Sequence, residues 1–241
     1  MPISPISPFR SSSSAKTVSL EALLWDMDGT LVDTEPLWVD CEKELMAQFG
    51  YRWNEEDALH CIGGPMERVE LYLKEKSRSD HDPSWFGETL VSMMLERLRE
   101  GAPLRPGVEN LINASRQAGM QLALVSASRR AVVDAVLSSL PFDFDFSISA
   151  SEVQNSKPDP ESYLVAAKEL ASSIASCVVI EDSEVGITAG LASGAMVIGV
   201  TQEVFEHESF HGFPDLSLLP FENLHSHHSD WVSRVALRER S

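Results

Sequence analysis

"LLWDMDGTLVDTEPLW", residues 23–38, opens as an apolar run and then sets Asp26 and Asp28 one residue apart, with Gly29 and Thr30 directly behind. Two carboxylates this close repel each other unless a cation joins them. Magnesium is one such cation, because it takes oxygen ligands and keeps several waters. A pair of solvated turn aspartates is the plainer alternative, since Asp and Gly are common in turns. A helix-loop-helix calcium site does not fit. It needs Gly at the sixth position and Glu at the twelfth, whereas counting from Asp26 puts Gly29 fourth and Leu37 twelfth.

Outward from this stretch the pattern alternates. "LEALLW" (20–25) predicts a first strand, and the spacing of Leu37, Cys41, Leu45 and Phe49 predicts a helix that Gly50 ends. Phe86, Leu90, Met93, Met94 and Leu98 repeat the helical spacing over 84–99, so 35–100 reads as all-helical. "GAPLRPG" (101–107) is a Gly/Pro-rich break. After it, "QLALVS" (121–126), "FSIS" (146–149), "CVVIE" (177–181) and "AMVIGV" (195–200) predict strands. Helices are expected between them at 108–118, around Val132–Leu137, at about 160–171 and at 184–193. Such alternation implies a mostly parallel sheet with helices on both faces, with the 35–105 helices inserted after the first strand. In open sheets of this kind the ligand crevice lies beyond the carboxyl ends of the strands, where Asp26, Ser126, Glu181 and Asp182 all fall.

The 241 residues carry a formal net charge of -18, which disfavours nucleic acid and anionic membrane surfaces as partners. No apolar run approaches the roughly 20 residues that span a bilayer. Cys41, Cys61 and Cys177 are odd in number and widely spaced, which points to a reducing compartment, and a cytoplasmic location is expected. The Ser/Pro-rich start, residues 1–17, reads as a flexible tail. The last twenty residues, with "HSHH" (225–228), show little periodicity and read as solvated, with 226–241 as a C-terminal tail.

Two further stretches bear on chemistry. In "VVIEDSEVG" (178–186) Glu181 and Asp182 end a strand and Gly186 leaves room for a close backbone approach, although an aspartate capping the next helix explains Asp182 as well. In "SKPDPESY" (156–163) Asp159 and Pro160 make a cap and first-turn pair, and Lys157 taken alone reads as a surface lysine. No G-x-x-x-x-G-K-[ST] is present to cradle the phosphates of ATP.

In order and type these stretches resemble the four motifs of the haloacid dehalogenase superfamily: "DMDGT", "LVSAS", Lys157 in "SKPDP", and "IEDSEVG". The inserted helices resemble the C1-type cap of its β-phosphoglucomutase-like branch. The resemblance implies an α/β fold: a Rossmann-like parallel sheet over 18–34 plus 106–225, with an inserted all-helical cap domain over 35–105. It implies Asp26 as nucleophile, forming an aspartyl-phosphate, and Asp28 as general acid and base. It further implies Mg²⁺ held by Asp26, the Asp28 backbone carbonyl and Asp182, with Glu181 as another candidate. Ser126, the amide of Ala127 and Lys157 would hold the phosphoryl oxygens.

Within that branch the mutase has a histidine ten residues after the acid/base aspartate, where this chain has Trp38. Its cap arginine in "G-x-S-R" is replaced by Met66, with Arg68 two residues on. The resemblance therefore points to a phosphatase acting on a small phosphorylated metabolite, a sugar phosphate, with Glu35, Trp38, Met66 and Arg68 nearest the substrate. A phosphomutase and a non-catalytic binding module of the same fold are the alternatives. Nothing in the pattern marks an oligomer interface, so a monomer is expected.

Overall fold

Strand β1 (Ala22–Trp25) is buried over its whole length and lies in the middle of the sheet. The computed structural model describes residues 18–62 and 65–238, so the expected tail over 1–17 lies outside it. The other strands are β2 (Gln121–Val125), β3 (Phe146–Ile148), β4 (Cys177–Glu181), β5 (Met196–Val200) and β6 (Phe210–Phe213). They form one sheet in the order β3-β2-β1-β4-β5-β6, with every pairing parallel. Strands buried on both faces need apolar residues at every position, as "ALLW", "LALV" and "CVVI" supply.

Side-chain alternation along β1 divides the core into two layers. Leu23 and Trp25 pack with α5 (Val108–Gln117), α6 (Arg130–Ser139) and α9 (Phe221–Arg238). Ala22 and Leu24 pack on the other face with α7 (Glu161–Glu169) and α8 (Glu184–Ser193). The inserted segment folds as α1 (Glu35–Ala47), α2 (Glu55–Cys61), α3 (Met66–Ser77) and α4 (Pro83–Arg97). It carries an apolar cluster of its own, in which Leu45, Met46, Leu73, Phe86 and Leu90 are fully buried.

The chain crosses between sheet and insertion through two linkers that run side by side. Val32 and Leu104 form an antiparallel bridge. The Asp33 amide donates to the Pro103 carbonyl at 2.8 Å, and the Arg105 amide donates to the Leu31 carbonyl at 3.0 Å.

The C-terminal expectation is corrected. Residues 221–238 form α9, and β6 pairs with β5 just before it. Leu224, His228 and Trp231 fall on one helical stripe and are buried. His228 Nε2 donates to the Ala175 carbonyl at 2.8 Å, and the Trp231 indole N–H donates to Ser209 Oγ at 2.9 Å. The polar run "HSHHSD" hides this stripe, because His228 counts as polar in the sequence yet satisfies its hydrogen bond inside the fold. Trp231→Ala should therefore cost about 3–5 kcal/mol, the usual loss for a large buried aromatic. Urea denaturation checks this, and an unchanged midpoint would return the segment to the status of a tail.

Candidate active site

The strand order reverses between β1 and β4, so the segments leaving their carboxyl ends splay apart and open a crevice. Asp26 follows β1, and its amide donates to the Ile180 carbonyl of β4 at 2.9 Å, which fixes it at the rim. Glu181 ends β4 and Asp182 follows. Oxygens of Asp26, Glu181 and Asp182 come within 4.8 Å of one another.

Lys157, seven per cent exposed, enters this acidic group from the segment before α7. Its ammonium donates to Asp26 Oδ1 at 2.6 Å, to Glu181 Oε1 at 2.7 Å and to the Val125 carbonyl at 2.9 Å. Burial opposes its charge, but Asp26 and Glu181 outweigh that and hold its pKa well above the usual lysine value. Tyr163, six residues on, donates to Glu181 Oε1 at 2.9 Å. Glu181 Oε2 accepts from the Asp182 amide, the Ser183 amide and Ser183 Oγ at 3.1–3.2 Å. Both oxygens of Glu181 are thus occupied by protein donors, which makes it a support for Lys157 more than a free ligand. A Cβ on Gly186 would lie 1.6 Å from Glu181 Oε1, so only glycine admits this arrangement.

Asp26 Oδ2 and Asp182 Oδ2 take no hydrogen bond from any described residue, while Thr30 Oγ1 donates to Asp182 Oδ1 at 2.7 Å. Gly29 adopts φ +83°, and a Cβ there would sit 2.2 Å from Asp182 Oδ2. Burial, then Glu181, pushes the Asp182 carboxyl up to about 7. Burial and Glu181 also raise Asp26, against the pull of Lys157. One ammonium therefore does not neutralise the three carboxylates. The hard, crowded oxygens of Asp26 and Asp182 fit a divalent cation such as Mg²⁺.

Asp28 is held apart from this group. Thr34 Oγ1 and Ser128 Oγ donate to its two oxygens at 2.5 and 2.7 Å, and the Trp38 indole N–H reaches Oδ1 at 3.4 Å. Ser126 is buried, and its Oγ accepts from the Ser128 amide at 2.9 Å.

A cavity of about 320 Å³ joins these residues to the inserted helices. Asp26, Asp28, Ala127, Lys157 and Asp182 line one side, and Glu35, Trp38 and Met66 line the other. Arg68 does not join them. It is exposed, and its guanidinium donates to the Ile62 carbonyl at 3.1 Å. Arg129 lines the cavity in its place, but it is paired with Glu70 of α3. Thr34, Tyr163 and Arg129 are the participants that the motifs leave out. Tyr163 had a signal in its spacing from Lys157, since one turn into α7 brings it back to the same crevice. Thr34 lies just beyond Asp28 in the opening stretch, and Arg129 depends on a contact with the distant Glu70.

Residues 23–200 match the family model of the haloacid dehalogenase-like hydrolases. Hexitol phosphatase B of Escherichia coli (strain K12) is 31% identical over 176 residues, which is 71% of this chain and 79% of that protein. A fructose-1-phosphate phosphatase of the same strain is 29% identical over 184 residues, covering 74% of this chain and 95% of that one. The crystal structure of β-phosphoglucomutase from Clostridium difficile shares the fold, with a TM-score of 0.77 at 24% identity, over 89% of this chain and 99% of the other. By the match over most of its length and by these relatives, the chain belongs to the haloacid dehalogenase-like hydrolases.

Proposed function

We propose that the chain is a Mg²⁺-dependent phosphatase that hydrolyses a small phosphate monoester, a sugar or polyol phosphate, through an aspartyl-phosphate on Asp26. The observation that carries this reading is the division of labour between the two aspartates. Asp26 keeps Oδ2 unbonded beside Lys157, whereas Asp28 is positioned by Thr34, Ser128 and Trp38. In the first step Asp26 Oδ2 bonds to phosphorus, the ester P–O bond breaks, and Asp28 gives its proton to the departing alkoxide. In the second, Asp28 takes a proton from water, the resulting hydroxide attacks phosphorus, and Asp26 leaves as a carboxylate with inorganic phosphate free. Lys157 and the Ala127 amide offset charge on the phosphoryl oxygens.

Mg²⁺ would be held by Asp26, Asp182 and the Asp28 carbonyl, and would supply positive charge to the phosphoryl group. Glu181 supports the site through Lys157. The 35–105 helices act as a cap that closes over the site and excludes water. The named activities of the hexitol and fructose-1-phosphate phosphatases support the substrate class.

A mutase must hold two phosphates at once. Among the described residues only Lys157 and Arg129 bring cationic side chains to the cavity, and each is already paired with a carboxylate. That supports a phosphatase.

Asp26→Asn should lower kcat by at least about 10³-fold while leaving the thermal midpoint intact or higher. Phosphate release from a hexose and hexitol phosphate panel checks it, and activity near wild type would sink the mechanism. Chelation should abolish turnover and Mg²⁺ should restore it.

The charge crowding also sets a pH dependence. The folded pKa of Asp182, about 7, lies above that of an unfolded aspartate, about 3.9. The stability linked to its protonation is complete at acid pH and is lost as pH rises through about 7. In chelator, wild type should therefore lose melting temperature relative to Asp182→Asn between pH 5 and 8. Mg²⁺ should recover the loss at pH 8 in wild type alone. Parallel melting profiles for the two proteins would contradict this account of the site.

A further inference from the structure

Helix α1 presents Glu35, Trp38, Val39 and Glu42 along one stripe to the cavity. Glu42 lies at the inner end of that stripe and is only four per cent exposed. To the same cavity the inserted helices contribute Trp38, Cys61, Val69 and Leu90, all apolar or weakly polar. Its Oε2 has no hydrogen-bond partner among the described residues, and neither does the nearby Trp53 indole N–H. A buried acceptor without a partner is costly, and only the Trp53 indole and the Cys61 thiol lie near enough to draw on it.

We infer that Glu42 selects the alcohol portion of the phosphate ester, by a hydrogen bond between its carboxyl and a substrate hydroxyl remote from the phosphate. The inference rests on the phosphatase reading above for the reaction, but not for the contact itself. Burial pushes the Glu42 carboxyl up to about 8, with the Trp53 indole and the Cys61 thiol drawing it back toward ionisation. Near neutral pH it is thus largely an uncharged acid, able both to donate to and accept from a hydroxyl. Of the cations at the cavity among the described residues, Lys157 is committed to Asp26 and Glu181 and Arg129 to Glu70, so a distal phosphate or carboxylate would meet Glu35 and Glu67 without a free countercharge. The ligand that fits is a neutral, hydroxylated phosphate monoester: an aldose, ketose or polyol phosphate with a hydroxyl several bonds from phosphorus.

The test compares Glu42→Leu with wild type on hexose and hexitol monophosphates, their single-deoxy analogues, and p-nitrophenyl phosphate. The variant should lose roughly 10- to 100-fold in kcat/KM on the best hydroxylated ester. It should change less than about 2-fold on p-nitrophenyl phosphate, and should lose nothing on the one deoxy analogue that lacks the contacted hydroxyl. Glu42→Gln, which keeps donor and acceptor, should retain most of the preference. An equal loss on every ester would show a purely structural role, and no loss on any would show that Glu42 contacts nothing. Either result overturns the inference. Calorimetric binding of the same esters to Asp26→Asn, with and without Glu42→Leu, reads the contact without turnover. If wild type hydrolyses no ester, the phosphatase reading fails, and this binding comparison still decides for or against Glu42.

Discussion

A single buried ammonium holds the carboxyl end of the sheet together. Lys157 touches Asp26 beyond β1, Glu181 at the end of β4 and the carbonyl of Val125 at the end of β2, so one side chain ties three adjacent strands at their tips. A charge taken out of water so completely is tolerable only with partners of opposite sign and with its hydrogens placed, and all three of its contacts do this. The arrangement then imposes conditions outward. Glu181 must itself be pinned, which Tyr163, Ser183 and two backbone amides accomplish, and its close approach to α8 excludes any side chain at position 186. With Lys157 committed to Asp26 Oδ1 and Glu181, the three clustered carboxylates are not neutralised. That residual repulsion is what suits the site to a divalent cation.

The cavity is correspondingly two-sided. The sheet side is dense in charge and in hydrogen bonds, with each oxygen assigned to a donor or left open beside another open oxygen. The helical side is mostly apolar and carries isolated acids. In the phosphatase reading proposed above, a phosphoryl group meets the first side and a neutral alcohol the second, and the orientation of the ester follows from that asymmetry.

Much of this was readable in the sequence because it depends on short-range pattern. Strands buried on both faces must be continuously apolar, so β1, β2, β4 and β5 stood out, and the acidic residues at their ends marked the crevice. Lys157 was identified by resemblance, since nothing local distinguishes a buried lysine from a surface one. Where pattern was weak, the reading failed. The edge strand β6 is four residues of partly exposed "FHGF", and α9 buries its stripe beneath a histidine-rich surface. Arg68 lies away from the cavity lining for a different reason: a residue two positions from Met66 on a helix points elsewhere, and here it folds back on Ile62. Glu42 left no trace in the sequence, because burial of an acid is a property of what surrounds it.

The paired linkers constrain how this protein could be recombined with its relatives. Thr34, the residue just before α1, donates to Asp28 Oδ1, and Val32 is bridged both to Asp28 and to Leu104. The cord that tethers the helical insertion is therefore also the cord that positions the proposed acid. A chimera that exchanges the insertion must be cut on the helical side of this seam, after Thr34 and before Pro103. Cuts on the sheet side would import a foreign grip on Asp28 along with the new helices. The linker pair thus marks a natural splice point, where the inserted helices can be exchanged with the Thr34 contact to Asp28 kept and only the longer Trp38 contact renewed.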